Sequence, residues 1–412
     1  MTVSDRGTSR LICDVTQSWS SVGGGVRTYL DHKRSHILER TRHRHLLIIP
    51  GSEDGVVDDR RAITVTVRSP KVPGSPHYRL LLRNRAVRAA LERFKPDLIE
   101  CQDSYNLPWS AIAYRKRHPE TALVGGYFTD FPNVYVARPF AKFIGRTLAG
   151  AAGRLCYRYC GSLYRRFDAL YVLSENGGLD ELRRHGVENP RTVPLGVELG
   201  EFTPQRRDVA LRKELGLTNA QPLLIYVGRL HVEKKPDVVV EAFRHLPASL
   251  GAKLVLLGEG PMREQFAELN DTRIVMPGYV RDRGELARWL ASADIYVSAF
   301  AQETFGVSIV EAQAVGLPVV GVAGGALLDR VDDALGRLGP VNDAKAMAAN
   351  ILDVWGGDRA RMGAAARERA LQFSWDRTFE TLFSDVYPLA FANRQATLRG
   401  AEAGSLVRGA AS

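Results

Sequence analysis

Gln302-Glu303-Thr304-Phe305-Gly306-Val307-Ser308-Ile309-Val310-Glu311-Ala312, followed by Gly316-Leu317-Pro318-Val319-Val320, is the stretch that decides how this chain folds. An apolar run rich in β-branched residues, Asp294–Val297, precedes it and predicts a strand. Val307–Val315 predicts a helix, and the run from Pro318 predicts the next strand. A strand, a loop, a helix and a second strand make one unit of a parallel sheet. In that unit Glu303 falls in the loop at the helix start. Glu311 falls about two turns further on, roughly 12 Å along the axis. The backbone N–H groups of Phe305, Gly306 and Val307 are expected to face outward from the helix start, ready for phosphate or sugar oxygens.

The same alternation extends in both directions. Strands are predicted at Leu11–Val15, Leu46–Ile49, Ile63–Val67, Asp97–Cys101, Ala122–Gly126 and Ala169–Leu173. A second series is predicted at Leu223–Val227, Lys253–Leu257, Arg273–Met276, Asp294–Val297 and Pro318–Val322. Helix-like segments separate them, so the expected class is α/β, with two Rossmann-like, doubly wound domains. The rhythm pauses at Pro194–Arg207, where glycine, proline and charge cluster. This places one domain at 1–198 and a second at 199–372, with a late helix at 373–392 and a flexible tail at 393–412. Two such domains in tandem bring the carboxyl ends of both sheets to a shared crevice.

Composition narrows the partners. The chain has 412 residues, a formal net charge of +10, 45% hydrophobic residues and four cysteines. That length suits two domains. Cys13, Cys101, Cys156 and Cys160 are too scattered for a disulfide framework, and Cys156 and Cys160 read as small buried hydrophobes. No run is apolar for long enough to span a bilayer, and the polar start at Met1–Arg10 shows no secretory signal. The expected location is the cytoplasm, with peripheral contact to the inner face of the membrane. The positive charge favours anionic partners: phosphorylated ligands, an acidic membrane surface, or nucleic acid. Nucleic acid is disfavoured, because zinc-ligand spacing, helix-turn-helix and aromatic-plus-basic sheet patterns are missing from the sequence.

Charge and spacing then assign chemistry. Glu311 lies among Val310, Ala312 and Ala314, so its carboxylate needs dedicated donors, such as the hydroxyls of a ribose. Glu303, further out, is placed to accept hydroxyls of a transferred sugar. After the strand ending at Val227 come Gly228-Arg229-Leu230-His231-Val232-Glu233-Lys234-Lys235-Pro236. There Arg229 and Lys234 can neutralise a diphosphate, the first with a planar fork and the second as a point charge. The sequence contains no Asp-x-Asp pair, so a metal clamp of that type is disfavoured and no metal or cofactor is expected. Ser21-Val22-Gly23-Gly24-Gly25-Val26-Arg27 follows the first strand, and its glycines let backbone approach a ligand. Thr28 stands where the dinucleotide pattern needs its last glycine, which argues against a dehydrogenase.

Together these motifs resemble the family 4 retaining glycosyltransferases, which include bacterial phosphatidylinositol mannosyltransferases and sulfoquinovosyltransferases. The resemblance spans about residues 10–390. It rests on Gly24-Gly25-Val26, Gly228-Arg229-Leu230, Glu233-Lys234, the two glutamates eight positions apart and Thr192-Val193-Pro194-Leu195-Gly196-Val197-Glu198, which looks like the family's domain-closing loop. It implies a glycosyltransferase-B fold, a UDP- or GDP-sugar donor on the second domain, and a lipid-linked or saccharide acceptor on the first. It further implies that Arg229 and Lys234 hold the diphosphate, Glu303 a sugar hydroxyl and Glu311 the ribose. Gly278-Tyr279-Val280 would contact the base, with Val280 foremost, and Gly24, Gly25 and Arg27 would face the donor from the other domain. Retention would follow from front-face departure and attack, a task of charge stabilisation more than of a side-chain base. In Tyr127-Phe128-Thr129-Asp130, Phe128 stands where many relatives carry histidine or glutamine, and Asp130 is the candidate to replace the lost polar contact.

Three other readings stay open: an epimerase of the same fold, a phosphorylase-like transferase with pyridoxal phosphate, and a weakly catalytic sugar-nucleotide-binding scaffold. Residues 137–167 carry seven Lys/Arg and no Asp or Glu, interleaved with Phe140, Phe143, Tyr157, Tyr159 and Tyr164. This predicts a basic surface for anionic lipid, the plainer alternative being helices with solvated arginines.

Overall fold

A computed structural model describes residues 9–20, 24–72, 75–132 and 138–409. The strands in chain order are β1 (Leu11–Val15), β2 (Arg44–Gly51), β3 (Gly55–Asp59), β4 (Ala62–Arg68), β5 (Lys71–Val72), β6 (Ser75–Arg79), β7 (Leu98–Cys101), β8 (Ala122–Tyr127), β9 (Ala169–Val172) and β10 (Arg191–Thr192). They continue with β11 (Leu223–Val227), β12 (Lys253–Leu257), β13 (Ile274–Gly278), β14 (Ile295–Val297), β15 (Val319–Val322) and β16 (Gly336–Gly339). The chain divides into two units, the first formed by residues 1–173, 178–193 and 378–412, the second by 174–177 and 194–377. The reading by rhythm put the crossings at 198/199 and 372/373; the chain passes between units at 193/194 and 377/378.

The second unit holds a six-stranded sheet in the order β13-β12-β11-β14-β15-β16, and every neighbouring pair is parallel. The strand order reverses between β11 and β14, and in open α/β sheets the crevice beyond such a reversal is where ligands bind. Its four inner strands are buried nearly throughout, as expected for a parallel sheet covered on both faces. The first unit holds an eight-stranded sheet, β10-β9-β8-β7-β1-β2-β4-β3, with its reversal between β1 and β7. Only β3, on the edge, runs antiparallel to its neighbour there. A β5–β6 hairpin stands apart.

A charged cluster lies inside the first unit. Lys33, on the helix Gly25–Arg40, places Nζ 2.8 Å from Asp14 Oδ1 of β1 and 2.9 Å from Glu100 Oε2 of β7, all fully buried. Glu100 Oε1 accepts from the hydroxyls of Tyr29 (2.9 Å) and Tyr171 (2.7 Å), and Oε2 from Tyr387 (2.7 Å). His45 Nε2 lies 2.7 Å from Asp14 Oδ2, while its Nδ1 accepts from Arg34 Nε at 3.0 Å. A guanidinium only donates, so the His45 proton sits on Nε2 and the ring is neutral. Burial lowers the His45 pKa in keeping with this. The desolvation of so many polar groups is offset because nearly every lone pair finds a donor.

Two corrections concern the chain's ends and edges. The tail expected to be flexible from 393 is helical, as part of Tyr387–Gly409. Ala396, Leu398, Arg399, Ala401 and Glu402 are good helix formers, and Tyr387 anchors the helix start on Glu100. The strands β3, β5, β6, β10 and β16 were not expected. The first is wholly exposed and the last is bounded by glycines, so neither shows an apolar run. Among the described residues no helix is long and apolar enough to cross a membrane.

Lys33→Met leaves two buried carboxylates without their cation. It is expected to lower unfolding stability in urea by about 3–5 kcal/mol, whereas Tyr387→Phe, which removes one hydrogen bond to a charge, should lower it by about 1.5–3 kcal/mol. A Lys33→Met protein as stable as the wild type would contradict this account of the core.

Candidate functional site

The loops leaving β11, β12 and β13 are joined by backbone hydrogen bonds at the carboxyl end of the second sheet. Gly228 N–H donates to Leu257 O, Gly258 N–H to Gly278 O and Leu230 N–H to Glu259 O, at 3.0, 2.9 and 2.9 Å. Gly258 has φ +147°, and a Cβ there would collide with the Gly228 carbonyl, so Gly258-Glu259-Gly260 lets two loops lie in contact. The sequence reading missed this motif, although a glycine pair directly after a predicted strand was its signal.

On that floor, residues Val232–Lys234 form one 3₁₀ turn, closed by Lys234 N–H donating to His231 O at 2.8 Å and capped by Glu233 N–H donating to His231 Nδ1 at 3.3 Å. Lys235 takes a left-handed conformation and Pro236 starts the next helix. This turn aims Lys234 Nζ at Glu303 Oε2 (3.1 Å) and over the Phe300 ring (3.8 Å). Arg229 is half exposed, with Nη2 3.4 Å from both carboxylate oxygens of Glu233.

Glu303 leaves β14 on the other side of the reversal. Burial works to raise its pKa, but the Lys234 charge and hydrogen bond, with the N–H groups of Gly306 and Phe305, hold it below the usual range. The carboxylate is therefore held by the turn that leads into the helix Val307–Ala314. Of the N–H groups of Phe305, Gly306 and Val307, which the sequence reading expects to face a ligand, the first two lie beside the Glu303 carboxylate. Gly306 makes this turn possible, since its φ is +82° and a Cβ would lie 2.7 Å from Ile309 Cδ1. The Phe305 ring is buried against Phe373 (5.8 Å) and the Arg330 guanidinium (4.5 Å), so this residue serves through its backbone. Ser174 Oγ, from the short piece of the second unit after β9, supports the loop by donating to Thr304 O at 2.8 Å.

Glu311 is 2% exposed, and the donor it required is a protein side chain. Arg283 Nη2 lies 2.6 Å from Glu311 Oε1 and 2.6 Å from Glu198 Oε2. Burial pushes the Glu311 carboxyl up to about 7; Arg283 pulls it down and Glu198 adds to the rise. Arg283 was not singled out in the sequence, because a surface-like Arg-Asp-Arg-Gly run carries no motif, and Glu198 entered only as the end of the Thr192–Glu198 stretch. Val280 is half-buried in the loop between β13 and the helix Arg283–Ser292.

The remaining expected residues belong to the first unit. Gly24 precedes the helix Gly25–Arg40 with φ +134°, Gly25 opens it, and Arg27 Nη1 donates to Ser20 O at 3.0 Å. Ser21, Val22 and Gly23 lie outside the described residues. Asp130 Oδ1 accepts from Tyr157 OH (2.6 Å) and Tyr127 OH (3.1 Å). Phe128 is buried against Tyr29 (5.0 Å) and Tyr171 (6.1 Å), so this aromatic ring covers the tyrosines around Glu100. A recess at the reversal between β1 and β7, missed in the sequence, is lined by Ser18, Gln102, Asp103, Ser104, Tyr105, Thr129 and Phe131. Burial raises the Asp103 pKa, against hydrogen bonds from Ser18, Gln17 and Thr16.

Residues 24–197 match the glycosyl transferase 4-like domain and residues 221–356 the glycosyl transferases group 1. The chain belongs to the family 4 glycosyltransferases. A relative from Mycobacterium tuberculosis (strain ATCC 25177 / H37Ra), a GDP-mannose-dependent alpha-(1-6)-phosphatidylinositol dimannoside mannosyltransferase, is 27% identical over 93% of this chain and 97% of its own. A D-inositol 3-phosphate glycosyltransferase from Xylanimonas cellulosilytica is 36% identical over 56% of this chain and 58% of its own. In fold, this glycosyltransferase is similar to sucrose-phosphate synthase from Thermosynechococcus elongatus (TM-score 0.72, 20% identity, 93% of this chain and 99% of the other). It is also similar to Anabaena HepE solved with UDP and glucose (TM-score 0.66, 16% identity, 92% and 100%). The fold is thus glycosyltransferase-B, with two Rossmann-like domains.

Gly258→Ala is expected to push the β11 and β12 loops apart. Nucleotide affinity should fall at least tenfold in titration calorimetry, with a loss of about 1–3 kcal/mol in unfolding stability. Wild-type affinity in that variant would show that the floor does not shape the site.

Proposed function

We propose that this glycosyltransferase transfers mannose from GDP-mannose to a lipid-linked mannoside or similar glycolipid acceptor, with retention at the anomeric carbon and without a metal. The observation that carries the donor site is the pairing of Lys234 with Glu303 across the β11/β14 reversal, beside Arg229 and the buried Glu311. The near full-length relatives named as GDP-mannose-dependent favour this nucleotide and sugar.

In this reading the diphosphate takes the Lys234 ammonium and the Arg229 fork in place of their present partners. Glu303, released from Lys234, accepts a hydroxyl of the transferred sugar, and Glu311 accepts from the ribose. Backbone around Gly306 and Val307 lines the sugar side, and Val280 lies against the base. The bond from the anomeric carbon to the phosphate oxygen breaks with its electron pair leaving on GDP. The acceptor oxygen bonds to the same face, and its proton passes to the departing phosphate. The cations matter because they stabilise charge that develops on the leaving group. No Asp-x-Asp pair is present to offer a metal instead.

The first unit takes the acceptor in this proposal. Gly24, Gly25 and Arg27 contribute close backbone and positive charge, Asp130 offers Oδ2 to a hydroxyl, and the recess around Asp103 offers further polar groups. For residues 137–167 we retain the anionic-lipid reading. Residues 133–137, and the side chains of 138–149, lie outside what is described; beyond them Arg154, Arg158, Arg165 and Arg166 are exposed and Leu155 is 67% exposed. A scaffold that binds sugar nucleotide without transfer is the second reading, favoured by Phe128 being locked between Tyr29 and Tyr171.

The test is turnover. Incubation with GDP-mannose or UDP-glucose, with and without phosphatidylinositol mannosides, is expected to release GDP and form an α-mannosylated lipid, unaffected by EDTA. Epimerised donor, or nucleotide binding with no release from any donor, would overturn the assignment. Lys234→Ala should lower kcat/KM by roughly 100- to 1000-fold. Glu311→Gln should weaken GDP binding by roughly 10- to 100-fold.

A further inference from the structure

Arg283 is a polar residue of the second unit whose placement the donor reading does not yet use. It opens the helix Arg283–Ser292, which Asp282 caps by accepting from Glu285 N–H at 2.7 Å. Its guanidinium lies over the Phe202 ring at 4.7 Å, and one nitrogen, Nη2, serves both Glu311 and Glu198 at 2.6 Å. Its Nε is buried with no hydrogen-bond partner. The contact to Glu311 uses Oε1 and leaves Oε2 uncommitted.

We infer that Arg283 is a positioning residue for the nucleotide: it holds Glu311 by Oε1, so that Oε2 faces the vicinal hydroxyls of a ribose, and it shares this hold with Glu198 on the segment that follows the crossing at 193/194. The inference rests on the proposed contact of Glu311 with ribose. Its physical basis is that a carboxylate as buried as Glu311 needs a counter-charge to remain an acceptor. A protonated carboxyl would spend one oxygen as a donor and orient differently.

The groups around Glu311 come from four elements. Arg283 comes from the helix after β13 and Glu198 from the crossing segment. Tyr296 of β14 turns its hydroxyl to Ser308 Oγ at 2.7 Å, on the first turn of Glu311's own helix. The helix Arg359–Ala370 directs Arg367 at the carbonyls of Phe202 and Ala314, at 2.7 and 2.6 Å. Arg283 is thus the cation hydrogen-bonded to Glu311, and Glu198 competes for it. The two neighbours therefore act on Glu311 in opposite senses: losing Arg283 favours its protonated form, and losing Glu198 favours its ionised form.

The experiment is titration calorimetry with GDP, or with UDP if the wild type binds that instead, between about pH 5.5 and 8.5. The ribose needs ionised Glu311, so wild-type affinity should climb as pH rises through about 7. Phosphate ionisation of the nucleotide is common to all variants and cancels in the comparison. Arg283→Gln should weaken binding about tenfold at neutral pH and shift the midpoint upward; Arg283→Lys should restore part of both. Glu198→Gln should shift the midpoint downward. A structural role alone would weaken binding without opposite shifts, and midpoints that stay put or move together overturn the inference. If Arg283→Gln does not fold, Arg283→Lys and Glu198→Gln decide between these outcomes. Glu311→Gln separates the two levels: unchanged GDP affinity there defeats the ribose assignment itself. Weakened affinity there, with no midpoint shift from Arg283 or Glu198, defeats only the role of Arg283.

Discussion

Lys234 and Glu303 leave neighbouring parallel strands on opposite sides of a topological reversal, and their ion pair at 3.1 Å closes the gap between the two loops. Much of the second unit serves to make that meeting possible. The 3₁₀ turn after His231 sets the direction of the lysine, and contact between the Gly228 and Gly258 backbones supports the loop from below. On the other side the same carboxylate lies beside the N–H groups of Phe305 and Gly306, in the turn before the helix. Glu303 is held by the Lys234 ammonium and by the N–H groups of Phe305 and Gly306, so the protein itself fixes its geometry. Preparation of this kind is what electrostatic stabilisation of a leaving group requires.

The two units treat buried charge differently. In the first, Lys33, Asp14, Glu100 and three tyrosine hydroxyls form a closed and well-satisfied cluster, which ties the returning C-terminal helix to β1 and β7. In the second, Glu311 shares one guanidinium with Glu198 and keeps a raised pKa near neutrality. The first arrangement fits a structural role, because every partner is internal. The second is incomplete, with an uncommitted oxygen and an orphaned Arg283 Nε, as expected where a ligand supplies the rest.

Strand–helix alternation and strand-end glycines made the α/β class, the buried parallel strands and the loops bearing Arg229, Lys234 and Glu303 legible from sequence. Periodicity reports burial, and these strands are buried. It could not report β3, which is exposed along its length, or β16, which is a glycine-bounded edge. Partners distant in sequence were equally invisible. Nothing near Arg283 says that it meets Glu198 and Glu311, and nothing near Glu303 says that it lies beside the N–H groups of the turn that follows it. The tail misled because small residues near Gly400 suggest disorder, whereas alanine and leucine spacing with an anchoring Tyr387 sustains a helix. Phe128 read as a missing polar contact, and its ring packs over the tyrosines that surround Glu100.

The central claim is that the β11/β14 reversal holds a sugar nucleotide by protein cations and paired carboxylates. A structure of the protein with GDP-mannose bound tests it most directly. The account predicts the diphosphate within hydrogen-bond distance of Lys234 Nζ and the Arg229 guanidinium, a ribose hydroxyl on Glu311 Oε2, and a sugar hydroxyl on Glu303. A nucleotide seated elsewhere, or a diphosphate held with Lys234 still closed on Glu303, would contradict it.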